Sequence, residues 1–446
     1  MISPTLTASI FSKLGNSSHL LPIAAKDLSH SAGLTTSSYI TGDKIEGKDR
    51  FIDEFGTQAI WLGGIPFYKK IIDNTMYKIA KHNANLDIRV LKDPQLLKKA
   101  IMNAPTQEIK RSIIKAKLDM KAFKGLNLAR FVAATVLTLG SYAGLTTYRH
   151  KQTEKAIIKE IKKEESLKKA SQEFIKNKST PTFKAIQNSS ANNKKPSFGM
   201  KVPEAVKDFM FNPVKNMMIV DGGITAERLK ESRNPQDLVG YVIKEGSFWA
   251  FMYLVGPKIQ EHFEKVAQAK NKKSINLDIK VLQDQEFKNS LTEKVANSTK
   301  TKMQTSLAEF PKFKNDAEIY DFICDSKNKE NLVVKMAKKA GIIEEYQKTG
   351  KVDTQKFIDI TEVKQFRSKI KKLTAQLATS GETAEVFMNK VVSLKKGSII
   401  KNLGTCMGVL GLVVPGVMLA MRLMNKDNKE FQVKKQIQEK MLNQAV

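Results

Sequence analysis

Two cysteines in 446 residues, Cys324 and Cys406, are too few and too far apart for a disulfide framework, and neither lies in a CxxC pair that could hold zinc. Histidine is equally thin. His19, His30, His82, His150 and His262 share no ligand spacing, and neither cysteine has a histidine in a recognisable arrangement. Nucleophilic and metal catalysis therefore have no motif to rest on, and no enzymatic activity, metal or cofactor is expected. Arginine is scarce too: only nine of the 75 basic residues are arginines. Arginine supplies the planar fork that grips phosphate and base edges, whereas lysine is a solvated point charge, so specific nucleic-acid recognition is not expected. The opening stretch, Met1 to Phe11, has neither the basic start nor the long apolar core of a signal peptide. Residues 1–32 read as a weakly ordered, Ser/Thr-rich leader.

What is present is charge of one sign. The net charge is +30, almost all from lysine, while the charged fraction of 27% and apolar fraction of 41% are ordinary for a folded chain. A lysine excess suits general attraction to anionic surfaces such as lipid headgroups. It also fits a bland compositional bias.

The chain contains a duplication mark. Asn85-Leu-Asp-Ile-Arg-Val-Leu-Lys-Asp93 returns 191 positions later as Asn276-Leu-Asp-Ile-Lys-Val-Leu-Gln-Asp284, with seven of nine residues identical. At the same offset Ile52, Glu54, Ala59, Pro66 and Lys81 match Ile243, Glu245, Ala250, Pro257 and Lys272, and at an offset of 190 Ala32-Gly33-Leu34-Thr35 resembles Gly222-Gly223-Ile224-Thr225. Asn85, Asp87, Asn276 and Asp278 are thus the candidate residues of a repeated core. Leu86, Ile88 and Val90 alternate with polar residues, as do Leu277, Ile279 and Val281. That period predicts short strands over 86–91 and 277–282, paired with each other. Asp93-Pro94 reads as a helix start with Asp as the cap, and Asp284 stands at the matching place.

Each copy also carries a short apolar run rich in aromatics, 57–68 and 248–257, each holding one of the two tryptophans. Both are too short to cross a bilayer, which needs about 20 residues, and read as interfacial, re-entrant or core helices. Two longer runs do have the length. Residues 131–148 and 402–421 lack charge and are bracketed by Arg130 and Arg149 and by Lys401 and Arg422. Each contains a GxxxG pair, Gly140 with Gly144 and Gly404 with Gly408. These four glycines are candidates for close helix packing or self-association in lipid. A Lys-Gly pair precedes each run, Lys124-Gly125 and Lys396-Gly397, and the offset there is 272 rather than 191. The second half therefore carries about 81 extra residues.

The predicted architecture is mainly α-helical and membrane-integral, in two related halves. Half one is 33–148, followed by a charged helix and flexible linker over 149–200. The core of half two is 201–298, then a helical insert over 299–380, a second membrane region over 381–424 and a polar helical tail over 425–446. Within the insert, 317–323, 332–337 and 363–377 show helical spacing. Two crossings are expected, with orientation open because basic residues flank the first nearly evenly. Glu54 and Glu245 stand at matched positions at the edges of the short runs, as ion-path candidates or as acids favoured near helix starts. Asp221-Gly222-Gly223 could cradle an anion before a helix, or be a simple turn. Three functional readings follow: a duplicated membrane scaffold lying against anionic lipid, a small transporter or channel framed by the two halves, or a peripheral interaction protein.

Overall fold

The computed structural model describes residues 4–16, 19–40, 44–84, 86, 88–92, 94–102, 104, 106–174, 213–230, 232, 235–298, 313, 315–328, 330–343, 358 and 360–424. The protein is mainly helical, and among the described residues there is no strand. The helices are α1 Pro4–Leu14, α2 Leu20–Ile40, α3 Lys44–Ile72, α4 Ile88–Lys92, α5 Pro94–Met102, α6 Gln107–Leu118 and α7 Met120–Phe174. After these come α8 Pro213–Lys230, α9 Pro235–Trp249, α10 Val255–Asn271, α11 Ile279–Leu282 and α12 Gln285–Ser298. The last five are α13 Asp316–Cys324, α14 Leu332–Lys339, α15 Ile360–Ser380, α16 Ala384–Gly408 and α17 Val414–Met424. Wide π-helical turns at Asp73–Tyr77, Ala250–Leu254 and Val409–Val413 interrupt three of the long helices.

Two compact units result. One holds Met1–Ile23, Pro66–Thr135 and Ala250–Cys406; the other holds Ala24–Ile65, Val136–Trp249 and Met407–Val446. The first unit is built on an apolar core running from Ile275 to Val392, in which Val281, Leu282, Phe287, Val333, Val334, Val363 and Met388 are fully enclosed. Burial of such side chains contributes roughly 1.5–3 kcal/mol each and drives this unit together. Side-chain caps set its helix starts. Asn315 accepts from the Glu318 amide, Asn331 from those of Val333 and Val334, and Asp284 from that of Phe287. The helical segments expected inside 299–380 are α13, α14 and α15, and Gly341, at φ 75°, ends the region after α14.

The predicted strands are helices. Residues 88–92 form α4 and 279–282 form α11, and the two do not pair as a ladder. The physical reason lies in one capping bond and one extra leucine. The Asp278 side chain accepts from the Lys280 amide and so caps α11, where a strand reading would place it on a polar face. Leu282 follows Val281 directly and both are fully buried, which alternation forbids in a half-buried strand. Leu91 breaks the first copy in the same way. The leader reading also changes, because residues 4–14 and 20–40 are helical. Asn85, Asp87 and Asp93, the linker over 179–200 and the tail over 425–446 lie outside the described residues.

Lys81 and Lys272 are, among the described residues, the non-glycine positions in left-handed backbone, at φ 54° and 52°. That conformation costs an L side chain roughly 1–2 kcal/mol, and Lys81 and Lys272 are both exposed. Lys81→Gly and Lys272→Gly should each therefore raise unfolding stability by about 0.5–1 kcal/mol. A denaturant titration showing a loss instead would mean that the lysine side chains hold these turns.

Candidate functional site

Three helices of the second unit carry their polar side chains inward. On α3, Arg50, Asp53, Glu54, Thr57, Gln58 and Trp61 recur at three- and four-residue spacing and are all buried, while Phe51 is 49% exposed. On α9, Lys244 and Glu245 are buried and Leu238, Val239 and Val242 are exposed. On α2, Asp27, His30, Ser31 and Ser38 are buried, and Leu28 is 53% exposed. A globular helix in water has the opposite distribution.

The buried charges converge on one carboxylate. Asp53 Oδ1 lies 2.6 Å from Arg149 Nη1 on α7 and 3.2 Å from Arg228 Nη2 on α8. Its other oxygen is 3.7 Å from Lys244 Nζ on α9 and 3.8 Å from Arg50 Nη1 on its own helix. Around it, Lys244 Nζ lies 2.6 Å from Glu54, and Arg228 Nη1 lies 2.6 Å from Glu245. Glu54 and Lys244 are close but not aligned as a hydrogen bond, so their attraction is read as charge on charge. Arg228 also donates to the Tyr142 hydroxyl (3.0 Å) and to Thr57 Oγ1 (3.2 Å). Arg149 reaches Asp49 at 3.5 Å. Each cation touches at least one carboxylate, so the network of Arg50, Arg149, Arg228 and Lys244 with Asp49, Asp53, Glu54 and Glu245 is balanced. Burial alone would push Asp53 up, but Arg149, Arg228, Lys244 and Arg50 hold its carboxyl well below the usual carboxylate range. Glu245, also fully enclosed, is brought down to about 2 by Arg228 and Lys244.

Beside this network lies a small cavity of about 20 Å³, lined by Asp27, His30, Glu54, Asp221, Lys244 and Glu245 among others. That volume accommodates one water and no organic substrate. Asp27 accepts a hydrogen bond from Trp61 Nε1 at 3.0 Å, and the His30 ring is 2.9 Å from the Leu410 carbonyl through Nδ1. No family model, curated protein or solved structure matches this chain. The site's chemistry is therefore read from its own geometry.

Both ion-path candidates, Glu54 and Glu245, line this cavity, and each is ion-paired. Of the repeat-core candidates, Asn276 and Asp278 lie in the first unit. Asn276 accepts from Gln268 Nε2 at 2.7 Å, and Asp278 caps α11 and accepts from Ser12 Oγ at 2.6 Å. Asp221-Gly222-Gly223 lies within α8 and precedes no helix, so the anion-cradle reading fails for want of free amides.

The helix-packing candidates face open space. Among the described residues, Gly140 and Gly144 on α7, and Gly404 and Gly408 on α16, make no close contact with another helix. At Gly144, as at Gly140, Gly404 and Gly408, no described residue beyond the glycine's own helix backbone lies within 4 Å of where a Cβ would stand. Within the chain, close approach occurs at other glycines. A Cβ on Gly33 would meet the Gly411 carbonyl and stand 2.6 Å from Pro415 Cγ, and one on Gly223 would stand 2.6 Å from Leu139 Cδ2. Asp27, His30, Asp53, Arg149 and Arg228 went unread in the sequence. The available signal was the three- and four-residue recurrence of polar residues from Arg50 to Trp61, which forms a polar stripe on an otherwise apolar helix.

Proposed function

We propose that the chain is an internally duplicated membrane scaffold, anchored by its two apolar helices and braced by the Asp53 charge network. The observation that carries this reading is the inverted distribution on α2, α3 and α9, with ionised groups enclosed and valine, leucine and phenylalanine outside. Segments Met120–Glu164 and Ala384–Met421 are long and apolar enough to cross a membrane, and only 22% and 28% of their apolar windows are buried. A soluble core helix would be mostly enclosed. Val136, Leu137, Leu412 and Val413 are exposed on these segments, where lipid would cover them. The lysine-rich remainder would lie against anionic headgroups, each lysine near the surface adding about 1 kcal/mol.

Duplication has support beyond the repeated nonapeptide. Gly33 and Gly223, matched in sequence, each meet the apolar helix of the opposite half, at Gly411 and at Leu139. Lys81 and Lys272, matched at the same offset as Glu54 and Glu245, share left-handed backbone. Scaffolding is preferred to transport because the two acids that a path would need are committed to Lys244 and Arg228, and the cavity beside them holds one water. Self-association belongs to the same proposal, since the open space at Gly140, Gly144, Gly404 and Gly408 leaves room for a second copy. The deciding experiment is alkaline carbonate extraction of membranes from cells making the full chain. The protein should stay in the pellet; release into the supernatant would overturn the anchor and favour a peripheral protein.

A further inference from the structure

Asp27 stands outside the charge network. Among the described residues Asp27 has no cation within ion-pair distance, and its hydrogen bonds come from neutral side chains, the indole of Trp61 and the amide of Gln58. His30 stands three residues on, on the same face of α2, and both are buried. The Leu410 carbonyl can only accept, so His30 Nδ1 carries the proton and donates it. The neutral ring then presents Nε2 as a bare acceptor, and Nε2 is buried with no partner. His30 lines the one-water cavity together with Asp27.

We propose that this cavity is an occluded proton-binding site, in which Asp27 is kept as the neutral carboxylic acid and one water links it to His30 Nε2. The water accepts from the Asp27 O–H and donates to the imidazole, so the proton resides on Asp27 and the unpartnered His30 Nε2 is satisfied. The groups facing the pair set the balance. Glu54 on α3, Asp221 on α8 and Glu245 on α9 disfavour a further negative charge, and Arg228 and Lys244 are taken up by Asp53, Glu54 and Glu245. Burial first, then Asp221 and Glu54, push the Asp27 carboxyl up to about 8. Burial also holds the His30 imidazole below its usual value, so it stays neutral. The ligand class is thus a proton with its water; a metal ion would meet the Lys244 ammonium and the Arg228 guanidinium at the same wall.

For an acid raised in the folded state, the folded protein holds the proton more tightly than the unfolded chain. This contribution to stability is full below the unfolded value of 3.8 and is lost as pH rises to about 8. The test is infrared titration of the full chain in lipid nanodiscs, reading the carbonyl stretch of protonated carboxyl groups. Wild type should show such a band at pH 7 that disappears near pH 8, and Asp27→Asn, which still accepts from Trp61, should lack it. His30→Gln should shift the band or its midpoint. Thermal unfolding gives a second reading: the wild-type midpoint temperature should fall from pH 5 to 8, and that slope should be reduced in Asp27→Asn. Absence of the band in wild type, or its survival in Asp27→Asn, would overturn the site. A band unmoved by His30→Gln would overturn the water link.

Discussion

Asp53→Asn is expected to cost about 3–5 kcal/mol of unfolding free energy, because it leaves Arg149, Arg228 and Lys244 enclosed with their shared counter-charge removed. Asparagine keeps the volume, so a cavity cannot explain the loss. Chemical denaturation in a mild detergent reads it directly, and a change below about 1 kcal/mol would show that the network is not what holds these helices. A partial remedy is also expected. Replacing Lys244 by methionine in the Asp53→Asn background removes one of the stranded cations, so the double variant should recover part of the loss. That recovery separates a charge effect from a packing effect, since methionine fills similar space without an ammonium. The size of the effect follows from how the charges are distributed over the chain. One carboxylate on α3 answers cations from α7, α8 and α9, so its removal loosens three helices at once.

Gly33→Ala is expected to be nearly as damaging, although it adds a single methyl group. The new Cβ would be driven into the Gly411 carbonyl and Pro415, and neither backbone nor a proline ring can rotate away. Overpacking of this kind costs about 1–3 kcal/mol, and the rigid neighbours place Gly33 at the upper end. The informative control is Gly140→Ala, where no described residue beyond its own helix backbone lies within 4 Å of the new Cβ. There the better helix propensity of alanine should leave stability unchanged or raise it by up to about 1 kcal/mol. Opposite signs at the two glycines, measured by the same thermal or denaturant unfolding, would confirm where helices touch within the chain. Equal effects would refute the packing described here.

The parts of this fold legible in the sequence are those whose rules act locally. Asp284 announces a helix start through a bond to an amide three residues away, and the apolar windows announce themselves by length. The nonapeptide misled for a related reason. Five residues cannot distinguish alternation from a short, fully enclosed helix, and the Asp278 capping bond that decides it is invisible without coordinates. The GxxxG spacing of Gly140 with Gly144 shows that two glycines share a helix face, but not which neighbour, if any, that face meets. α2 misled more deeply. Its buried face carries Asp27, His30, Ser31 and Ser38, so a rule that expects apolar residues inside reads the helix as a solvated leader. The charge network lies beyond any local rule, since Asp53, Arg149, Arg228 and Lys244 are brought together only by the packing of four helices. Glu54 and Glu245 could be picked out because duplication marks matched positions with the same residue; their partners could not, because at the repeat offset Lys244 falls opposite Asp53, of contrary charge, and Arg228 falls opposite Ser37.

The wide turn at Val409–Val413 acts as a one-residue insertion in an otherwise regular helix. One residue is about 100° of rotation, so α17 presents a different azimuth from the one α16 would reach by simple continuation. No single helical wheel describes 384–424, and the faces before and after the turn are independent surfaces. The same widening disturbs the carbonyl ladder, and the neighbouring helix occupies the acceptors there: Ser29 Oγ donates to the Met407 carbonyl at 3.2 Å and His30 binds that of Leu410. An irregularity in one helix thus fixes the tautomer of a ring on another, and the orientation of that ring is set by helical phase.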